Sequence, residues 1–176
     1  MSKLERTFDV ELRSLDGESN VVEGIAAVTE QPAMVDWYRE VIDRNAFNDT
    51  DMSDVVLNFN HNDDYLLAGT RNGSAELWVD DNGLNIRASI IDTTQGKDVM
   101  KLVRSRLISK MSFRFVVDRD GQEWRTAEDG VEERRITKIA KLYDTSLVVF
   151  PAYPTTAVYA RSADSLAEEH KALMER

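Results

Sequence analysis

The sequence predicts a mostly β protein with flanking helices (α+β), arranged as an antiparallel β-barrel. Three observations carry that expectation. Apolar and polar residues alternate with period two in several short runs, turn-forming glycine pairs separate the runs, and helical spacing is confined to three stretches of the 176 residues.

The alternating runs are Phe8-Val10-Leu12, Val55-Leu57-Phe59, Leu84-Ile86-Ala88-Ile90, Phe113-Phe115-Val117 and Tyr143-Thr145-Leu147-Val149. Successive side chains of a strand point to opposite faces, so each run offers one apolar or β-branched face. Between the runs sit Asp16-Gly17, Asn72-Gly73, Asn82-Gly83, Asp120-Gly121 and Asp129-Gly130. Glycine there supplies the positive φ of tight hairpin turns, and hairpins make antiparallel neighbours.

Residues 37–47 have the spacing of a short helix. Residues 95–107 place Val99, Leu102, Val103 and Leu107 on one stripe behind the capping candidates Thr93 and Thr94. Both helices are expected to cover a barrel rim. Pro151 and Pro154 end the strand pattern, because proline cannot donate to a sheet ladder. Residues 162–176 then read as a charged helical extension, with Ser165 and Glu168 at capping-box spacing. One domain over residues 1–161 with that appendage is the expected organisation.

Composition narrows the function. Thirty-two acidic residues against twenty-two basic ones give a net charge of −10, which repels phosphate backbones and anionic lipid, so neither nucleic acid nor membrane is an expected partner. No run approaches a membrane-spanning length, and the alternating, charged beginning lacks the apolar block of a secretory signal, so a soluble cytoplasmic protein is expected. With no cysteine, disulfides, thiolate metal sites and cysteine nucleophiles are all excluded. Asp118-Arg119-Asp120-Gly121 hints at a calcium loop, but that alignment puts Val116 first and Ala127 where a bidentate glutamate belongs. Zinc-site histidine clusters and phosphate-binding glycine patterns are missing, so no cofactor is expected.

The chain has two histidines, and therefore two candidate imidazole bases. His170 lies in a charged helical run with no small nucleophile fixed nearby. His61 ends a strand-like run on the face of Leu57 and Phe59, where by itself it reads first as a core or strand-end histidine and second as a general base. Ser112 shares a strand face with Arg114, opposite Phe113 and Phe115. A serine hydroxyl becomes a useful nucleophile when an adjacent imidazole takes its proton. Asp144, in the row of Leu142, Ser146 and Val148, is the candidate to orient that imidazole, or else a charge that keeps an edge strand from aggregating.

In order and spacing, several blocks resemble the tailed-phage prohead (capsid maturation) protease family, related to herpesvirus assemblin. They are Gly24-Ile25-Ala26, Glu40-Val41-Ile42 with Asn45-Ala46-Phe47, Leu57-Asn58-Phe59-Asn60-His61 before Gly69-Thr70, Asp81-Asn82-Gly83-Leu84 with Asp92-Thr93-Thr94, Met111-Ser112-Phe113-Arg114-Phe115, and Asp144-Thr145-Ser146-Leu147-Val148 before Pro151-Ala152. The resemblance implies a herpesvirus-protease-like barrel and a serine endopeptidase with Ser112 as nucleophile, His61 as base and Asp144 as third member. It implies a scaffolding protein or the major capsid protein as substrate, self-cleavage, a homodimer, and work inside the assembling prohead in the host cytoplasm. Lys110 and Arg114 stand where the family commonly has glycine, as does Asn45, which leaves the substrate pocket open. The rival expectation is a catalytically inert scaffold or capsid-assembly module of the same fold.

Overall fold

A computed structural model describes residues 4–8, 13–14, 20–35 and 37–149. The strands are β1 (Leu4–Phe8), β2 (Arg13–Ser14), β3 (Val21–Val28), β4 (Ala33–Val35), β5 (Tyr38–Ile42), β6 (Val56–Phe59), β7 (Asn62–Gly69), β8 (Ala75–Asp80), β9 (Gly83–Ser89), β10 (Lys110–Val117), β11 (Gln122–Thr126), β12 (Glu132–Ile136) and β13 (Ile139–Val148), with helix α1 (Thr94–Arg104) between β9 and β10. Among the described residues the chain is thus mostly β with one helix, as the alternation predicts. Val10, Leu12, Gly17, the boundary near residue 161 and the helical extension lie outside the described residues.

Two features of the expected barrel need correction. The strands form three sheets, ordered β1-β10-β13-β6-β7, β11-β12-β5-β4 and β2-β3-β9-β8, and no closed barrel is found among them. Turn residues mark where a chain reverses, whereas closure depends on strand tilt and stagger, which they do not encode. The sheets are also not purely antiparallel, since β13 runs parallel to β6 and β12 parallel to β5. Hairpin chemistry sets direction only between consecutive strands, and these partners lie far apart in sequence.

The helix expected over residues 37–47 is instead β5 followed by turns. Val41 and Ile42 are β-branched, and pairing with both β12 and β4 overrides the local helical spacing. Strands β11 and β12 escape the apolar pattern because charge pairing holds them: Arg134 bonds Glu40 of β5 at 3.0 Å and Gln122 of β11 at 2.6 Å. Arg125 and Arg39 both meet the buried Glu133 from either side.

Helix α1 forms where expected, capped by Thr93, whose Oγ1 accepts the Gly96 amide at 3.0 Å. Gly96 is glycine because the backbone of Ile91 passes so close that a Cβ would meet its carbonyl oxygen at 2.2 Å. Val99, Met100 and Val103 face the core, but Leu107 is 71% exposed. Arg106 adopts a φ of 59° just past the helix, and this reversal turns Leu107 out and buries Ile108 in its place.

The core brings together Phe113 and Phe115 of β10, Val22 and Ala26 of β3, Leu84 and Ile86 of β9, and Phe47 with Ile136. Phe113 stacks on Phe115 with ring centroids 4.7 Å apart. Burying one such ring is worth roughly 1.5–3 kcal/mol. This packing fixes one face of β10 and leaves its other face for polar residues.

Candidate active site

The β10–β13 register sets Ser112 opposite Ser146 and Arg114 opposite Asp144. With Met111, Phe113 and Leu147 committed to the core, those four residues line the other face. Asn58 of β6, paired with Ser146, extends the polar face onto a third strand. Leu142 does not share it as expected: a register shift after Arg114 pairs Leu142 with Phe115, in the core.

His61 arrives on this face through its backbone. Asn60 and His61 form the two-residue link of a hairpin whose flanking residues, Phe59 and Asn62, are paired. Their φ values are 51° and 53°, as a tight turn matching the twist of its strands requires at both central positions. Side-chain-bearing residues in that region cost on the order of 1 kcal/mol each, so neighbours must hold them. The Asn60 amide donates to the Leu147 carbonyl at 2.9 Å, and the His61 amide donates to Ser146 Oγ at 2.8 Å. The turn breaks strand alternation, so His61 leaves the Leu57 face, where alternation would put it, and reaches the Ser112 face.

His61 Nε2 lies 2.6 Å from Ser112 Oγ, and Nδ1 lies 2.9 Å from Asp144 Oδ1. An ionised carboxylate only accepts, so Nδ1 carries the proton and Nε2 is left to accept from the Ser112 hydroxyl. Ser112 is fully buried, and the His61 and Asp144 side chains are 10% and 1% exposed. Low local dielectric strengthens each of these bonds.

The second oxygen of Asp144 accepts from Arg114 Nε and Nη2 and from Asn58 Nδ2, the last at 3.2 Å. Burial pushes the Asp144 carboxyl upward, but the bonds from His61 and Arg114 outweigh it and hold the group below the usual carboxylate range. Burial likewise works against the Arg114 charge, and Asp144 and Asp63 more than compensate. Arg114 Nη2 bonds Asp63 Oδ1 at 2.7 Å.

All three residues singled out from the sequence therefore meet, while His170 lies outside the described residues. Sequence reasoning missed Asn58, Ser146 and Asp63 as neighbours of the site. The face shared by Asp144 and Ser146 could have flagged Ser146. Asp63 left no signal, because a bulge between the Asn58–Leu66 and Phe59–Asn62 pairs carries it to the rim of the site.

A serine, an imidazole and a buried carboxylate in hydrogen-bonded sequence form the arrangement that hydrolyses acyl groups by nucleophilic attack. The family model described as caudovirus prohead serine protease matches residues 8–171. The chain belongs to that family. This prohead serine protease is accordingly an enzyme of capsid maturation, not the inert assembly module of the rival expectation. In fold the protease is similar to the capsid assembly protease of bacteriophage T4, with a TM-score of 0.53 and 13% identity over 82% of this chain and 96% of that one. No curated protein matches the protease in sequence at a significant level.

Proposed function

We propose that this prohead protease cleaves peptide bonds through Ser112 as nucleophile, His61 as general base and Asp144 as the group that orients and stabilises the imidazole. The single observation that carries the assignment is the continuous chain from Ser112 Oγ through both His61 nitrogens to Asp144, at 2.6 and 2.9 Å. Ser112 Oγ attacks the scissile carbonyl as its proton passes to Nε2. The resulting imidazolium, stabilised by Asp144, protonates the leaving amine, and water then hydrolyses the acyl-enzyme by the same route.

The substrates on this reading are scaffolding or capsid-protein segments, and the protease itself, inside the assembling prohead. Membership of the family and the fold shared with a capsid assembly protease support that choice. A homodimer and kinship with the herpesvirus assemblin barrel belong to the same reading and rest on the resemblance in sequence alone. Among the described residues no helix is long and apolar enough to cross a membrane.

A fluorophosphonate probe tests the assignment. It should label the wild-type chain at Ser112 and leave Ser112→Ala and His61→Ala unlabelled. Self-cleavage detected by mass spectrometry should vanish in the same variants. Labelling or cleavage that survives Ser112→Ala refutes the nucleophile.

A further inference from the structure

We infer that Arg114 is a positioning residue of this site, clamping the far side of Asp144 so that the near oxygen addresses His61, with Asp63 as the counter-charge that keeps Arg114 aimed. The inference rests on the assignment of Ser112, His61 and Asp144 proposed above and deepens it.

Asp144 has two oxygens with separate duties. Oδ1 meets His61 Nδ1, while Oδ2 takes the Arg114 guanidinium and the Asn58 amide. A carboxylate bonded on one oxygen alone can rotate about its last side-chain torsion, which is broad and weakly held. A guanidinium is planar and always charged; two of its nitrogens converge on Oδ2 while His61 holds Oδ1, so the carboxylate is pinned at both oxygens and that torsion is set. Arg114 lies two residues beyond Ser112 on the same strand face, so the strand that carries the nucleophile also anchors the carboxylate.

Asp63 closes the arrangement from a third strand. The bulge in β7 carries it back over the site, where its Oδ1 accepts from Arg114 Nη2 at 2.7 Å and from Asn58 Nδ2 at 3.4 Å. Its side chain is 76% exposed, so it stands at the rim while Asp144 lies beneath. The charged groups converging on Asp144 are thus His61 from the hairpin turn and Arg114 from β10, with Asp63 of β7 reaching it through Arg114. Arg114 Nε and Nη2 are thus both taken up by carboxylates.

The sign of the pH effect follows. Arg114 favours ionised Asp144 against burial. Replacing it with a neutral residue lets the carboxyl keep its proton to higher pH, which moves the acid limb of activity upward.

The test measures the rate of fluorophosphonate labelling against probe concentration and pH, in the full chain, for wild type, Arg114→Gln, Arg114→Lys, Asp63→Asn and Ser112→Ala. Arg114→Gln should lower the limiting labelling rate by about 10-fold to 100-fold, the scale of a misplaced catalytic group, with little change in the half-saturating concentration. Its acid limb should move to higher pH. Arg114→Lys should restore the limb but only part of the rate, since a point charge lacks the planar grip. Asp63→Asn, a substitution at the exposed rim that leaves the fold intact, should shift both in the direction of Arg114→Gln by less. Unchanged limiting rate and pH limb in both Arg114→Gln and Asp63→Asn overturn the inference while Ser112→Ala stays unlabelled. Labelling that persists in Ser112→Ala instead removes the underlying assignment.

Discussion

Replacing Asp144 with asparagine keeps the size and shape of the side chain and changes only what it can accept. In the native site every partner of Asp144 is a donor: His61 Nδ1 on one oxygen, and Arg114 and Asn58 on the other. A carboxamide has one acceptor end and one donor end, so one side must lose. A bond to a charged donor contributes about 1.5–3 kcal/mol and a neutral one about 0.5–1.5 kcal/mol, which favours the carbonyl oxygen toward Arg114 by roughly 1 kcal/mol. The amide group then faces Nδ1, which must accept, and the imidazole proton moves to Nε2 against Ser112. Roughly four-fifths or more of the molecules would hold the unproductive tautomer, since 1.4 kcal/mol is a factor of about ten. The productive remainder lacks the charge that stabilises the imidazolium, and together these losses reach about 10⁴-fold in kcat for comparable sites. Stopped-flow labelling of Asp144→Asn with a fluorophosphonate, beside thermal unfolding to verify the fold, checks the figure. A folded Asp144→Asn chain reacting within 10-fold of wild type would refute this account of the buried carboxylate.

Two further outcomes follow from the geometry. Ser146→Ala removes the hydroxyl that holds the His61 amide at 2.8 Å, leaving a turn of positive φ with one anchor fewer. It should lower stability by about 1–2 kcal/mol in urea titration and slow labelling by about tenfold or more. Away from the site, Arg135 bonds both Glu30 and Asp43. The Arg135 bond and the Arg44 amide lower the Glu30 carboxyl; burial raises Asp43, but the Asn45 amide and Arg135 outweigh it, so both titrate below their ordinary 4.5 and 3.8. Unfolded carboxyls therefore bind protons first, and the stabilisation is fully present above those ordinary values and lost as pH falls through the lowered ones. Urea midpoints from pH 7 to pH 3 should decline less steeply in Arg135→Gln, and parallel curves for variant and wild type would contradict that sign.

Several parts of this protein were written locally. Alternation along 84–90 and 113–117 marked β9 and β10, because half-buried strands must alternate to face both core and water. Thr93 and the stripe after it marked α1, because a helix needs its first amides satisfied. The order of the histidine, serine and aspartate blocks carried the family resemblance, because strand order along a chain survives changes in the residues between. Ser112 and Arg114 were assigned one face for the same reason of pleat.

What the tertiary structure decided has a different physical basis. The parallel pairing of β6 with β13 joins strands with no shared turn, so no local residue could announce it, and it alone brings Asn58 and His61 beside Asp144. His61 reaches Ser112 through two backbone torsions of positive φ, held by Ser146 and Leu147 from a strand some eighty residues away. Alternation would have left that imidazole on the apolar face. Arg114 turns from a neighbour of the serine into the clamp of Asp144, because only the assembled sheet sets a guanidinium against a carboxylate 30 residues further along the chain. Composition and periodicity determined which residues could be strands and which could do chemistry; long-range register determined which of them touch.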